Sequence, residues 1–272
     1  MKEPESRMKE RERKLFNEAV KIAGKAGKTL LESFRKERPL ERGTVKEVKL
    51  VYDKVGDRII RKEIESRFPE HSYVTEETGF ADKKSEYLWI IDPLDGTSNF
   101  ADQNPMFAVS ISLWHGGEPL LGVIEAPMMM ERFAAVRGHG SYHYDLLRKK
   151  VRKAEVSGVS RASDAYGVYC EGGVKNKKKS LGLMSKYYLQ VKDTRKLGSA
   201  AIELAFVGMG RSESYMTTGI SLWDIAAGIL FVSEAGGAIL HLDGKPYEWK
   251  EFRHQRRFDL LATNGKVRIK LD

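Results

Sequence analysis

The sequence predicts an α/β protein with an α+β first half, on three observations. Two amphipathic helical patterns open the chain, short strand-like runs follow them, and beyond a basic stretch near residue 150 strands alternate with helices. With 272 residues, 41% of them hydrophobic and 10% aromatic, the chain can bury a large core, as one big domain or as two closely packed halves.

The first helix is expected from Arg13 to Phe34, where Leu15, Phe16, Val20, Ile22, Ala23, Leu30 and Leu31 recur at helical spacing, softly interrupted by Gly24 and Gly27. A loop around Pro39 to Gly43 leads to a second helix, Lys54 to Phe68, with Val55, Ile59, Ile60 and Ile64 on one face and Asp53 at its start. Ser72 to Thr75, Tyr87 to Ile91 and the alternating Met106 to Trp114 read as strands. His115-Gly116-Gly117 reads as a hairpin turn into Leu120 to Glu125. Arg132 to Arg137 offers another strand, and Leu147 to Lys153 is basic and turn-prone. The second half continues with a strand at Ala165 to Cys170, a helix near Leu181 to Leu189 and the segment Ser199 to Gly208. A last helix, Ile225 to Ala235, and strands at Ala238 to Leu242 and Leu260 to Thr263 close it. A boundary is placed near residues 150 to 160, dividing 1–155 from 156–272.

Lys and Arg number 47 against 38 Asp and Glu, a net charge of +9, which draws anions of any kind: nucleic acid, acidic lipid or phosphorylated metabolite. The single cysteine, Cys170, excludes an internal disulfide framework, and no Cys and His cluster has zinc spacing. A reducing, cytoplasmic location is expected, because the charged first residues contain no apolar core and no apolar run is long enough to cross a bilayer.

The chemistry concentrates in W-I-I-D-P-L-D-G-T, Trp89 to Thr97. An apolar strand delivers Asp92, Pro93 blocks a helix through it, and Asp95 follows at a bend, so two carboxylates converge. Gly96 allows close backbone approach, and Thr97-Ser98-Asn99 resemble a helix start whose free N–H groups bind phosphate. A turn with a helix cap is the plainer reading of an isolated D-x-x-D. Glu76-Glu77 follow another apolar strand and precede Gly79. Such carboxylates suit hard divalent cations, Mg²⁺ above all, although a solvated acidic pair is their ordinary role. Asp224 opens the last helix, where an N-cap is its ordinary role.

Taken together, W-I-I-D-P-L-D-G-T-S-N-F (89 to 100), W-D-I-A-A-G-I-L-F-V-S-E-A-G-G (223 to 237), E-E-T-G (76 to 79) and Asp53 resemble the inositol monophosphatase family of lithium-sensitive, magnesium-dependent phosphatases. The resemblance spans nearly the whole chain. It implies a layered αβαβα sandwich of the sugar phosphatase type, a homodimer, and two or three Mg²⁺ per site. By resemblance, Glu76, Asp92 and the Leu94 carbonyl would bind a first ion and Asp92, Asp95 and Asp224 a second, with Glu77 acting through water or a third. Thr97, supported by Asp53 or Glu76, would orient and deprotonate the attacking water, while Gly96, Thr97 and Ser98 would hold the phosphate.

Thr194 to Gly210 looks most like archaeal members that hydrolyse inositol phosphates and fructose 1,6-bisphosphate. Gly198, Ser199, Ala200 and Ala201 would form a loop against the substrate ring, and Arg195 or Lys196 would reach a second phosphate; an exposed basic pair is the alternative. Thr217 stands where inositol-specific members place a glutamate, and a neutral side chain cannot make that bidentate contact. Tyr169 would line the pocket, with Glu171 where a base is expected unless Lys175 to Lys179 compensate. The expected activity is hydrolysis of inositol monophosphate or fructose 1,6-bisphosphate by a metal-activated water. The alternatives are a 3′,5′-bisphosphate nucleotidase and, less favoured, a regulatory RNA-binding protein that keeps the fold.

Overall fold

The protein's structure, a computed structural model, describes residues 8–36, 45–172, 177–253 and 257–271. Helix α1 (Glu10–Lys36) runs unbroken through Gly24 and Gly27, because Leu15, Phe16, Ala19, Ile22, Ala23, Ala26, Leu30 and Phe34 form one buried stripe. Helix α2 (Val45–Arg67) begins nine residues before the expected start, so Asp53 lies inside it and not at its N-terminus. No Gly or Pro breaks V-K-E-V-K-L-V-Y-D, and its β-branched valines hid the helical signal.

Both helices cover one face of an eight-stranded sheet ordered β2-β1-β3-β4-β5-β6-β7-β8. Its strands are β1 (Ser72–Thr75), β2 (Gly79–Ala81), β3 (Tyr87–Asp95), β4 (Ala108–His115), β5 (Glu118–Ala126), β6 (Glu131–Val136), β7 (Gly140–Asp145) and β8 (Lys150–Lys153). Alternation sorts the core: Trp89 and Ile91 of β3 face α1 and α2, and Ile90 faces the opposite side. Each such fully buried side chain contributes about 1.5–3 kcal/mol of transfer free energy. The basic stretch expected as a turn instead contributes β8, an edge strand on β7 whose lysines suit a solvent-facing edge.

A short helix α3 (Thr97–Ala101) follows β3. The second sheet, ordered β10-β9-β11-β13-β12, consists of β9 (Tyr166–Glu171), β10 (Asp193–Arg195), β11 (Ser214–Ser221), β12 (Ala238–Leu240) and β13 (Arg257–Thr263). Helices α5 (Ala200–Gly208) and α6 (Leu222–Glu234) fill the space between the sheets. Ala201, Ile202, Ala227 and Leu230 pack on Ala108, Ile124 and Phe133, while Leu204, Ile225 and Ile229 pack on Val168, Tyr215, Phe258 and Leu260. Helix α4 (Lys177–Tyr188) covers the outer face through Tyr187, beside Met216 and Leu261. The layers therefore run αβαβα, and the ends of β1 and β3 meet the start of α6 at the sandwich's centre. Asp224 is not the cap of α6. Ser221 is, and Asp224 at the third helical position accepts from its N–H at 3.1 Å.

Candidate metal centre and phosphate cradle

Parallel pairing of β1 with β3 aligns Thr75 with Ile91, and the Glu76 N–H donates to the Ile91 carbonyl at 3.3 Å, so Glu76 emerges beside Asp92. Strand β3 does not stop at Asp92 as expected but continues through Pro93 to Asp95, with its register against β4 shifting between the two acids. The irregularity turns both carboxylates inward, and Asp92 Oδ1 accepts from the Leu94 N–H at 2.9 Å. Asp224 arrives from the opposite layer on the first turn of α6. One carboxylate oxygen each from Glu76, Asp92 and Asp224 lies within 4.8 Å of the others.

This proximity is costly without a cation. Burial, then Glu76, Asp95 and Asp224, push the Asp92 carboxyl well above the aspartate range. Burial, then Asp95 and Glu76, raise Asp224 to about 8. Burial also raises Asp95 to about 6, although Ser199 and the Ala200 and Ala201 N–H groups favour its ionised form. An all-oxygen set of mutually repelling carboxylates fits a hard divalent ion such as Mg²⁺. Both Asp95 oxygens accept from the start of α5: Oδ2 from the Ser199 hydroxyl and, at 2.8 Å, from the Ala201 N–H, Oδ1 from the Ala200 N–H at 3.3 Å. Oδ1, with one donor, retains a lone pair for a cation, whereas the two donors to Oδ2 occupy both of its sites. Glu77 is half-buried and stands outside the cleft's lining.

Gly96, Thr97 and Ser98 line the same cleft. Gly96 is left-handed at φ 86°, and a Cβ there would sit 2.7 Å from the Met106 carbonyl, so only glycine makes this turn. Helix α3 has five residues, and what it offers an anion is the free N–H groups of its first turn. Thr97 Oγ1 lies 2.9 Å from the Leu94 carbonyl and 3.3 Å from Asp53 Oδ1, which links α2 to the cradle. One turn on, Asp57 is buried and accepts from Arg61 Nε and from Thr78 Oγ1, both at 2.7 Å. It thereby holds the E-E-T-G turn in place, a role that sequence reasoning missed.

The opposite wall departs from expectation. Gly198 and Ala200 line the cleft, whereas Tyr169, Arg195, Ser199 and Thr217 do not. Ser199 caps α5 and donates to Asp95. Strand parity turns Tyr169 to the outer face, where it packs with Tyr187 and Met216, and turns Cys170 to the cleft; Glu171, the last residue of β9, lines the cleft at the strand's end. Arg195 pairs with Asp193 at 2.5 Å, and Thr217 is fully buried. Glu171 has a basic partner after all, Lys196 at 3.4 Å. Lys175 lies outside the described residues, while Lys179 faces Asp259 at 3.6 Å.

A second missed residue is Glu203, fully buried on α5. Its Oε1 accepts the Leu197 and Gly198 N–H groups at 2.7 and 3.1 Å and so pins the cleft loop. Burial raises its carboxyl to about 8, so it is largely protonated at neutral pH and glutamine is a close mimic. Glu203→Ala is expected to lower activity about 10- to 100-fold by freeing this loop, with Glu203→Gln retaining most of it. Equal losses in the two variants, measured by steady-state kinetics, would contradict the positioning role.

The sequence matches the inositol monophosphatase family over residues 11–268. It is 34% identical over 260 residues to the Nus factor SuhB of Xylella fastidiosa, covering 92% of this chain and 90% of that one. It is also 34% identical over 228 residues to the fructose-1,6-bisphosphatase/inositol-1-monophosphatase of Thermotoga maritima, covering 84% of each. The solved inositol monophosphatase of Anabaena (Nostoc) sp. superposes with a TM-score of 0.76 at 32% identity, over 93% of this chain and 91% of that one. Among the described residues, no helix is long and apolar enough to cross a membrane.

Proposed function

The chain belongs to the inositol monophosphatase family, and from that premise we propose that it is a magnesium-dependent phosphomonoesterase of inositol or sugar phosphates, working by direct attack of water. The observation that carries this reading is the convergence of Glu76, Asp92 and Asp224, from three elements, beside the Gly96 to Ser98 cradle. Glu76, Asp92, Asp95, Asp224 and the Leu94 carbonyl would hold the ions. Magnesium, when bound, supplies Lewis acidity toward the phosphoryl group and toward the water that attacks it.

The chain's own groups do the rest. The first-turn N–H groups of α3 orient the phosphoryl oxygens. The Thr97 hydroxyl lies between the Leu94 carbonyl and Asp53, so as its oxygen takes a proton from an attacking water it passes its own proton to the Asp53 carboxylate. Asp53, buried in α2, is thereby the group that ends the transfer protonated.

A second reading draws on the name Nus factor SuhB carried by several relatives and on the net charge of +9: an RNA-binding regulatory protein that retains the phosphatase fold. A panel of inositol 1-phosphate, fructose 1,6-bisphosphate and a nucleoside 3′,5′-bisphosphate separates the readings. The phosphatase reading expects phosphate release from the first two in Mg²⁺, and it fails if no member of the panel is hydrolysed. RNA retention at moderate salt by Asp95→Asn would support the second.

A further inference from the structure

The cleft has a floor of carboxylates and phosphate donors, and its mouth carries a different kind of group. It encloses about 300 Å³, and of the described residues that line it only Arg257 is basic. The placement of this side chain follows from the sheet. Strands β11 and β13 lose register between Thr217 and Ile220, which turns the Gly219 peptide out of the ladder. The Gly219 N–H donates to Asp259 Oδ1 at 2.7 Å, and its carbonyl accepts from Arg257 Nη1 at 2.9 Å. Arg257 and Asp259 stand two apart on β13, on one face, and the two peptide groups that flank the Gly219 Cα fix them.

The acids nearest the mouth are already matched. Asp259 faces Lys179 at 3.6 Å and Glu171 faces Lys196 at 3.4 Å, and among the described residues no carboxylate forms an ion pair with Arg257. A guanidinium tethered through one of its five N–H groups keeps a fork of donors for a bidentate acceptor. On its far side lies a second cleft, of about 520 Å³, lined by Lys179, His241, Tyr247 and Asp259 as well as Arg257, so a ligand reaching out of the catalytic cleft passes the guanidinium.

We propose that Arg257 is a specificity-determining residue that receives a second phosphate of the substrate while the first lies at Gly96 to Ser98. The substrate class is then a sugar or polyol bisphosphate. The assignment rests on the phosphatase reading above, and it gives to Arg257 the role that the sequence suggested for Arg195 or Lys196, which pair here with Asp193 and Glu171.

Fructose 1,6-bisphosphate and fructose 1-phosphate differ only in the second phosphate, and the ratio of their kcat/KM values is the test. Wild type favours the bisphosphate, and Arg257→Ala lowers the ratio about 10- to 100-fold, the size of a lost charge-assisted pair. Arg257→Lys, which keeps the charge and loses the fork, falls between them. A ratio unchanged in Arg257→Ala, or a wild type without preference for the bisphosphate, overturns the assignment. Inositol 1-phosphate and the nucleoside 3′,5′-bisphosphate assayed alongside keep the two claims apart: magnesium-dependent release from inositol 1-phosphate with an unchanged ratio sinks Arg257 alone, whereas no release from any of the four esters sinks the phosphatase reading with it.

Discussion

Asp92→Asn is expected to lower phosphate release by more than about 10³-fold, beyond the 10²–10³ that loss of one transition-state donor costs, while making the metal-free protein more stable. The two effects have one cause. Asp92 is almost completely buried among Glu76, Asp95 and Asp224, and its carboxyl is pushed well above the usual range by burial first and these neighbours next. Its charge therefore opposes folding at neutral pH, and in the proposed site a bound cation offsets it. Asparagine keeps the shape and can still accept the Leu94 N–H while removing a charge from the cluster. Relief of buried repulsion of about 1–2 kcal/mol corresponds to a rise of about 2–8 °C in melting temperature for a chain of this size. Thermal melts in EDTA and kinetics in Mg²⁺ read the two halves separately. Activity within tenfold of wild type, or a lower melting temperature in EDTA, would remove Asp92 from the centre of the site.

The second large effect is the stabilisation by magnesium and its dependence on pH. Asp95 and Asp224 are raised to about 6 and about 8 from an ordinary value of 3.8. Because the folded-state values are the higher ones, the stability these groups contribute is complete below the ordinary value and is lost as pH rises through the folded-state values. The metal-free protein should thus lose stability between pH 4 and 8, within the window these shifts define. Magnesium binds the ionised forms and restores it. At a hundredfold excess over Kd, binding adds about 2.7 kcal/mol, or about 5–11 °C. Glu203, also raised to about 8, contributes to the slope with and without metal, so the diagnostic is the gap between Mg²⁺ and EDTA melts. That gap should widen toward pH 8; a constant or narrowing gap contradicts the proposed ligand set.

The readability of these features from sequence follows their locality. W-I-I-D-P-L-D-G-T compresses a strand end, two acids and a tight glycine turn into nine residues, so the residues alone indicate chemistry. The layered architecture is legible for a related reason, since helical and alternating apolar periods survive in most elements. Tyr169 lies on the outer face because a strand exchanges faces at each residue, and sequence without register cannot tell it from Cys170. Asp53 was placed at a helix start because valines at 45, 48 and 51 mask the first turns of α2. Asp57 and Arg257 were missed because each depends on contacts distant in sequence, with Thr78 and with an irregularity in β11, whereas Glu203 acts on the Leu197 and Gly198 backbone just before its own helix and was missed because its burial is not legible in sequence. The nearest available signal was an acid or base inside an otherwise apolar element, Glu203 in A-A-I-E-L-A-F above all, since such a charge is seldom buried without a task.

The central claim is that the clustered acids form a divalent-cation site that drives phosphomonoester hydrolysis, and a magnesium titration of phosphate release by the wild-type protein, started from EDTA, tests it most directly. The account predicts no release from inositol 1-phosphate or fructose 1,6-bisphosphate in EDTA and a saturable rise with added Mg²⁺. Release that proceeds equally in EDTA, or that never rises at any magnesium concentration, would contradict it.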